Sequence, residues 1–187
     1  MLVSVGSYHH PFDRLIEWIE PWATEHPEVA FTVQHGPGRP MAGAANADFL
    51  AYDDLMELIA SSDLVVLQGG AGGLMDARDR GRLPVLVPRV PLGNEVVDDH
   101  QLLFTKKAGE LGLAHNVTTQ QGLHELLDGF LVGSVDTRTE RGEPTPGVAR
   151  VAELLSVAPS SISRRSRARR VFRRVRGRLR GPGVGGA

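Results

Sequence analysis

The chain has no cysteine among its 187 residues. That excludes a disulfide framework and a thiolate metal site, and it is compatible with a reducing cytoplasmic location. No apolar run approaches the ~20 residues that a membrane-spanning helix needs. Met1 leads directly into the strand-like LVSVG, so no signal peptide is expected. The seven histidines lack paired spacing of the H-E-x-x-H kind, and no metal is expected. No Gly-Lys-Ser/Thr follows the glycine-rich stretch, which excludes a P-loop. No internal repeat is present.

Negative charge is missing from the end of the chain. No acidic residue follows Glu153. Ten of the 21 basic residues are arginines between Arg164 and Arg180, leaving eleven in residues 1–163 against all 22 acidic ones. The body therefore carries about −11 and the tail about +10, behind an overall charge of −1.

What is present is an alternation of short apolar runs and amphipathic stretches. Leu2 to Val5 reads as a first strand, with Gly6 and Ser7 turning the chain at its carboxyl end. A helix follows over Leu15, Ile16, Trp18, Ile19 and Trp22, with Pro21 predicting a kink or break near Glu20. Val29 to Val33 reads as a second strand and Phe49 to Tyr52 as a third. Asp53 is the expected N-cap of a helix over Leu55, Met56, Leu58 and Ile59. Leu64 to Leu67 and Val85 to Val87 read as buried parallel strands, separated by a helix from Leu74 to Arg80. After Gln101 comes a helix with Leu102, Leu103, Ala108 and Leu111 on its apolar face, stopped by Gly112. Leu113 to Val117 and a helix over Leu123, Leu126 and Leu127, capped by Thr119, complete the pattern. The fold class implied is α/β, a Rossmann-like doubly wound parallel sheet. Residues 1–132 form the expected domain. Residues 133–157 read as a polar linker or mobile loop with a short helix from Val148 to Leu155, and 158–187 as an arginine-rich tail.

The centre of the chain is the stretch from Leu64 to Gln101. Between its first strand and helix lie Gly69, Gly70, Gly72 and Gly73. Glycines permit φ > 0 and close backbone approach to a ligand. The following helix points its free N–H groups at that ligand, which suits a phosphate or diphosphate. A tight turn needing flexible residues is the competing explanation. The dinucleotide fingerprint fits poorly, because Met75 stands where its third glycine belongs.

Three segments together carry a family resemblance. VSVGSYHHPFDRLI (residues 3–16) resembles the VTVGT…PFDRLI opening of glycosyltransferase family 28 C-terminal domains. LVVLQGGAGGLMDARDRGRLPVLVPR (64–89) resembles that family's strand, HxGxGS loop, glutamate-bearing helix and GKPxIVVPR strand. NEVVDDHQLLFTKKAGELGL (94–113) resembles its NEHxDNHQ segment and helix. The order and spacing agree over about residues 1–130, most closely with the short, separate donor-binding subunits of two-part N-acetylglucosaminyltransferases and bacterial exopolysaccharide glycosyltransferases.

The resemblance implies the donor-binding half of a GT-B fold, holding a UDP-sugar without a further cofactor or an obligatory metal. It implies transfer of a hexose to a lipid-linked acceptor, in polysaccharide or glycolipid biosynthesis, together with a membrane-anchored acceptor-binding partner subunit. Relatives take the catalytic base from the acceptor half, so no catalytic residue is assigned here; His9 and His10 read as loop residues near the cleft. Gly70, Ala71, Gly72 and Gly73 match the phosphate loop, with Gly6 and Ser7 on the cleft floor. Asp76 aligns with a glutamate that holds ribose hydroxyls in relatives, although an acid in a helix's first turn is also favoured by the dipole. Gln34 and Gly36 are placed near the uracil or ribose. Asp98, Asp99, His100 and Gln101, with Glu95, match the donor-sugar segment; a solvated turn with Asp98 capping the next helix is the alternative. Gln68 replaces the usual histidine, and Gly73 a small hydroxyl residue, so a loop hydrogen bond to phosphate is expected to be lost.

In the tail, a helix from Ser163 would set Val171, Phe172, Val175 and Leu179 on one stripe among arginines. Such a basic amphipathic helix suits an anionic membrane surface, at the cytoplasmic, inner face if the acceptor is lipid-linked. A disordered solubilising tail is the plain alternative. Nucleic acid is the weaker partner, since no nucleic-acid motif accompanies the arginines. Two further functions stay open at this point: a regulatory nucleotide-sugar binder without catalysis, and a nucleic-acid-associated α/β protein.

Overall fold

The computed structural model describes residues 1–91 and 95–140. The arginine tail, the short helix expected from Val148 to Leu155 and the linker beyond residue 140 lie outside them. The described residues belong to one compact unit.

Six strands form one wholly parallel sheet: β1 (Leu2–Ser4), β2 (Thr32–Gln34), β3 (Ala45–Ala47), β4 (Val65–Gln68), β5 (Val85–Val87) and β6 (His115–Asn116), in the order β3-β2-β1-β4-β5-β6. This is the doubly wound Rossmann order. Its topological switch lies between β1 and β4, registered Leu2–Val65, Val3–Val66 and Ser4–Leu67. The helices are α1 (Asp13–Glu25), α2 (Tyr52–Ser61), α3 (Ala71–Asp79), α4 (His100–Glu110) and α5 (Gln120–Leu131). Among the described residues no helix is long and apolar enough to cross a membrane.

The strand period of two divides the apolar residues between two cores. Val3, Val66, Val85 and Val87 face one side, where Leu15, Ile16, Ile19 and Trp22 of α1 meet Leu123 and Leu127 of α5. Leu2, Val65, Leu67 and Leu86 face the other, against Met56 and Ile59 of α2, Leu74 and Ala77 of α3 and Ala108 of α4. Each fully buried aliphatic side chain contributes about 1.5–3 kcal/mol. Trp22 Nε1 donates to Asp128 Oδ1 at 2.7 Å, joining α1 to α5.

Several elements differ from the sequence expectation. α1 continues through Pro21 to Glu25 rather than ending near Glu20, because Trp22 in its last turns is buried and bonded to α5. β2 begins at Thr32, not Val29; the Val29 N–H instead bonds back to the His26 carbonyl in a turn. The third strand is Ala45–Ala47, and the residues after it form loop up to Tyr52, which opens α2. The strand escapes pattern reading because it is short and lies at the sheet edge. Asn46 closes the loop before it, accepting from Met41 N at 2.9 Å and donating to Met41 O at 2.8 Å. α2 is capped at Ala51, so Asp53 is a first-turn residue rather than the N-cap. α4 buries Gln101, Thr105 and Ala108, leaving Leu103 and Leu111 exposed. Residues 136–139 are not free linker: Leu83 N bonds Thr137 O, and Thr139 N bonds Gly81 O. Thr119 caps α5 as expected, accepting from Gly122 N at 3.1 Å, and Gly112 stops α4 with φ of 64°.

The orientation of α4 and the core role of α1 can be tested together. Ile19→Ala empties a fully buried position and is expected to cost about 2–5 kcal/mol, whereas Leu103→Gln on the exposed side of α4 stays within about 0.5 kcal/mol. Urea unfolding followed by circular dichroism measures both, and a large loss for Leu103→Gln would contradict the observed helix face.

Candidate functional site

The carboxyl ends of β1 and β4 open onto a cleft of about 390 Å³. Its floor is Ser4, Gly6 and Ser7 from the end of β1, with Gln34 from β2. One wall is Gln68, Gly70, Gly72, Gly73 and Asp76, running from the end of β4 into α3. The facing wall is Phe49, Leu50, Tyr52 and Leu55. A crevice at the switch point of a parallel α/β sheet is where this architecture binds ligands.

α3 begins inside the glycine cluster, with Gly70 as N-cap and no side-chain cap bond. Ala71, Gly72 and Gly73 form the first turn, and a helix's first N–H groups have no partner within the helix. The positive end of the helix dipole is thus left bare toward the cleft. The glycines achieve this differently from expectation, since none of the four adopts positive φ. Gly69 is needed for packing, because a Cβ there would lie 2.6 Å from Thr105 Cγ2. A Cβ on Gly72 would meet nothing within 4 Å, so its bareness keeps open space beside the helix end. Gly6 is the cleft glycine with positive φ, 76°.

Asp76 sits in α3, where its Oδ1 accepts from Tyr52 Oη at 2.9 Å. The hydrogen bond to Asp76, and then its charge, raise the Tyr52 phenol above its ordinary pKa. Tyr52 and Asp76 are the titratable groups among the described residues that line the cleft. Phe49 and Tyr52 are 58% and 62% exposed at its rim. Sequence reasoning missed this wall by assigning it to a strand; two aromatics beside polar Asp53 and Asp54 were the available signal.

Gln34 lies on the floor, but its amide is engaged. Oε1 accepts from Leu50 N at 3.1 Å, and Nε2 donates to Ser4 Oγ and Gly6 O, each at 3.3 Å. Gln34 therefore braces the Phe49–Leu50 wall against the β1 loop. Gly36 is buried beside Val5, its N–H bonded to Asp48 O, and does not line the cleft.

The segment matched to sugar binding divides in two. Glu95 is buried and turned inward. Its carboxylate accepts from Arg14 Nε at 2.8 Å, Arg14 Nη2 at 2.9 Å and Val90 N at 2.9 Å. Gln101 is also buried, with Oε1 accepting from Arg89 N at 3.1 Å. Asp98, Asp99 and His100 are exposed. Asp98 Oδ1 pairs with His100 Nδ1 and takes its backbone N–H; the His100 side chain, then its backbone, hold the Asp98 carboxyl below its ordinary range. Asp99, not Asp98, is the N-cap of α4. None of these five lines the cleft around the α3 terminus.

Arg89, absent from the sequence-derived site, links these parts. It is fully buried. Its Nε donates to Gln68 Oε1 at 2.7 Å, Nη2 to Val5 O at 3.0 Å, and Nη1 to His10 O at 2.9 Å, Pro11 O at 3.0 Å and Glu95 O at 3.1 Å. The guanidinium lies 4.7 Å from the Phe12 ring centroid and 5.6 Å from that of Tyr8. Burial lowers its pKa to about 10, so it remains a cation at neutral pH. The His10 ring stacks on Tyr8 with centroids 5.2 Å apart, and the His9 ring lies tilted beside Tyr8 at 4.5 Å.

The model of the glycosyltransferase family 28 C-terminal domain matches residues 1–134. Among curated proteins none matches this sequence. The solution structure of ALG13 superposes with a TM-score of 0.53 at 15% identity, over 80% of this chain and 93% of that one. The crystal structure of the glycotransferase of kitacinnamycin gives 0.51 at 16%, over 82% and 37%. MurG of Acinetobacter baumannii gives 0.49 at 22%, over 70% and 40%. The chain thus spans less than half the length of the two larger proteins.

The inward position of Glu95 has a measurable consequence. Glu95→Ala strands the Arg14 guanidinium and the Val90 N–H, and is expected to lower stability by roughly 2–3 kcal/mol. Asp98→Ala, in an exposed turn, is expected to stay within about 0.5 kcal/mol. Urea titration of both variants decides, and a neutral Glu95→Ala would return that carboxylate to the pool of free ligand-binding groups.

Proposed function

The chain belongs to the glycosyltransferase family 28 C-terminal domain family, and from that premise we propose that it is the UDP-sugar-binding subunit of a two-component inverting hexosyltransferase. Its acceptor is lipid-linked, in polysaccharide or glycolipid synthesis. The observation that carries this reading is the uncapped, glycine-built N-terminus of α3 opening into the switch-point cleft.

The chemistry follows from the leaving group. Negative charge builds on the nucleotide diphosphate as the glycosidic bond to it breaks. Fixed N–H groups of Ala71, Gly72 and Gly73 stabilise that charge without having to reorganise. Gly6 and Ser7 bring the end of β1 close to the same anion. Asp76 accepts hydrogen bonds from the ribose, and Tyr52 holds its shorter side chain in place. Phe49 and Leu50 give the nucleobase an apolar wall. Asp98, Asp99 and His100 are assigned to the sugar or acceptor side, and Glu95 and Gln101 to supporting it from within.

The general base belongs to the acceptor-binding partner in this proposal. In support, the titratable groups that line the cleft among the described residues are Tyr52 and Asp76, and they are hydrogen-bonded to each other. The partner is membrane-anchored, and Arg164 to Arg180 hold this subunit at an anionic membrane face, each basic residue adding about 1 kcal/mol. No resident cofactor or metal is invoked.

Calorimetric titration of the full chain with UDP-N-acetylglucosamine, UDP-glucose, UDP-galactose and UDP-glucuronate, against GDP-mannose, tests the assignment. At least one UDP-sugar is expected to bind where GDP-mannose does not, and Asp76→Ala is expected to weaken it about tenfold or more. Equal binding of GDP-mannose, or an unchanged affinity in Asp76→Ala, would overturn it.

A further inference from the structure

We propose that Gln68 donates from its side-chain amide to the diphosphate of the bound nucleotide, and that buried Arg89 is the positioning residue that turns the amide the right way. This rests on the donor-binding reading above and deepens it, by giving the loop back the hydrogen bond that replacement of a histidine seemed to remove.

A glutamine amide has two faces of opposite chemistry. Its oxygen accepts and its NH₂ donates, and a free side chain can present either. An oxygen turned toward a diphosphate would repel it. Arg89 removes that choice, because a guanidinium only donates. Its Nε–H reaches Gln68 Oε1 at 2.7 Å, so the oxygen points inward and Nε2 points away from Arg89. Among the described residues Nε2 has no hydrogen-bond acceptor. It stands between the two cleft glycines: a Cβ on Gly6 would lie 1.9 Å from it, and one on Gly70, the N-cap of α3, 3.6 Å. The two N–H groups of Nε2 therefore extend the row of backbone donors at the helix end. The absent Cβ of Gly6 is what leaves them room.

Arg89 cannot swing aside. Carbonyls of Val5, His10, Pro11 and Glu95 hold its other nitrogens, and the Phe12 ring covers it. Its backbone N–H is tied to Gln101 Oε1, which connects the relay to α4. A cation bonded to the amide oxygen also polarises the amide and makes its N–H groups better donors. Gln101, whose side chain is buried, thereby acts on the cleft through Arg89 without lining it.

The test compares UDP with uridine, which share the base and ribose and differ in the diphosphate. Affinities are measured by calorimetry on the full chain, for the wild type, Gln68→Glu, Arg89→Lys and the double variant. Gln68→Glu keeps an acceptor for Arg89 and the side-chain length, but removes the donor. It is expected to weaken UDP about tenfold or more and leave uridine unchanged. Arg89→Lys keeps the charge without the fork, and is expected to show the same UDP-selective loss. In the double variant the losses are expected not to add. Nitrogen–proton NMR gives a second readout: the Gln68 side-chain amide signals, identified by their loss in Gln68→Glu, are expected to shift with UDP and not with uridine. Wild-type affinity for UDP in Gln68→Glu would overturn the proposal. Arg89→Lys weakening UDP and uridine alike would reduce Arg89 to a structural residue and overturn the relay. If Arg89→Lys fails to fold, the amide signals decide, and signals indifferent to UDP overturn the proposal. A wild-type chain that binds neither UDP nor uridine would instead overturn the donor-binding reading, and the relay with it.

Discussion

The buried guanidinium of Arg89 is the constraint on which the functional end of this molecule depends. A cation removed from water is costly unless its donors are met. Here carbonyls of Val5, His10, Pro11 and Glu95 and the Gln68 amide oxygen surround it. Those acceptors come from the loop after β1, the end of β4 and the segment before α4. Satisfying one charge therefore fixes three chain segments against each other. Burial pulls its pKa down to about 10, far enough to show the cost and not far enough to discharge it at neutral pH. Arg14 repeats the logic at the edge, donating to the Glu95 carboxylate and to Pro88 O.

With those loops held, the first turn of α3 stands uncapped at the cleft. The glycine cluster makes a helix end with no capping side chain and no acidic side chain in the first turn. The same bareness makes the site dependent on its surroundings for shape. Gln34 braces the loop facing α3, and Tyr52 reaches across to Asp76. Polar side chains bonded across it therefore stiffen a cleft whose facing wall is largely apolar. The backbone N–H groups of the first turn have no partner within the helix, and preorganised donors of this kind are the ones that stabilise developing charge most effectively.

The segment from Glu95 to Gln101 shows why a motif match is not a list of contacts. Its residues follow one another in sequence, yet they face opposite ways. Glu95 and Gln101 support Arg14 and Arg89 from within, while Asp98, Asp99 and His100 meet solvent. In this chain two positions of the motif brace Arg14 and the buried Arg89 segment, and three face solvent.

The sequence alone determined the layer architecture and the place of the candidate site. Alternating apolar runs such as Val85 to Val87, helix faces such as Leu15, Ile16 and Ile19, and the glycine cluster after Leu67 are local signals, since burial imposes period two or 3.6 directly on the residues. They were enough to place a doubly wound sheet with a glycine loop after β4. The tertiary structure decided what has no local signature. β3, at Ala45–Ala47, exists because Thr32–Gln34 offers it a parallel neighbour. α4 turns Leu103 outward because Gln101 and Thr105 fit beneath it against Arg89 and Gly69. Arg89 itself reads as one more basic residue after a proline. Its acceptors lie between 6 and 84 positions away along the chain, and only folding brings them around a single charge.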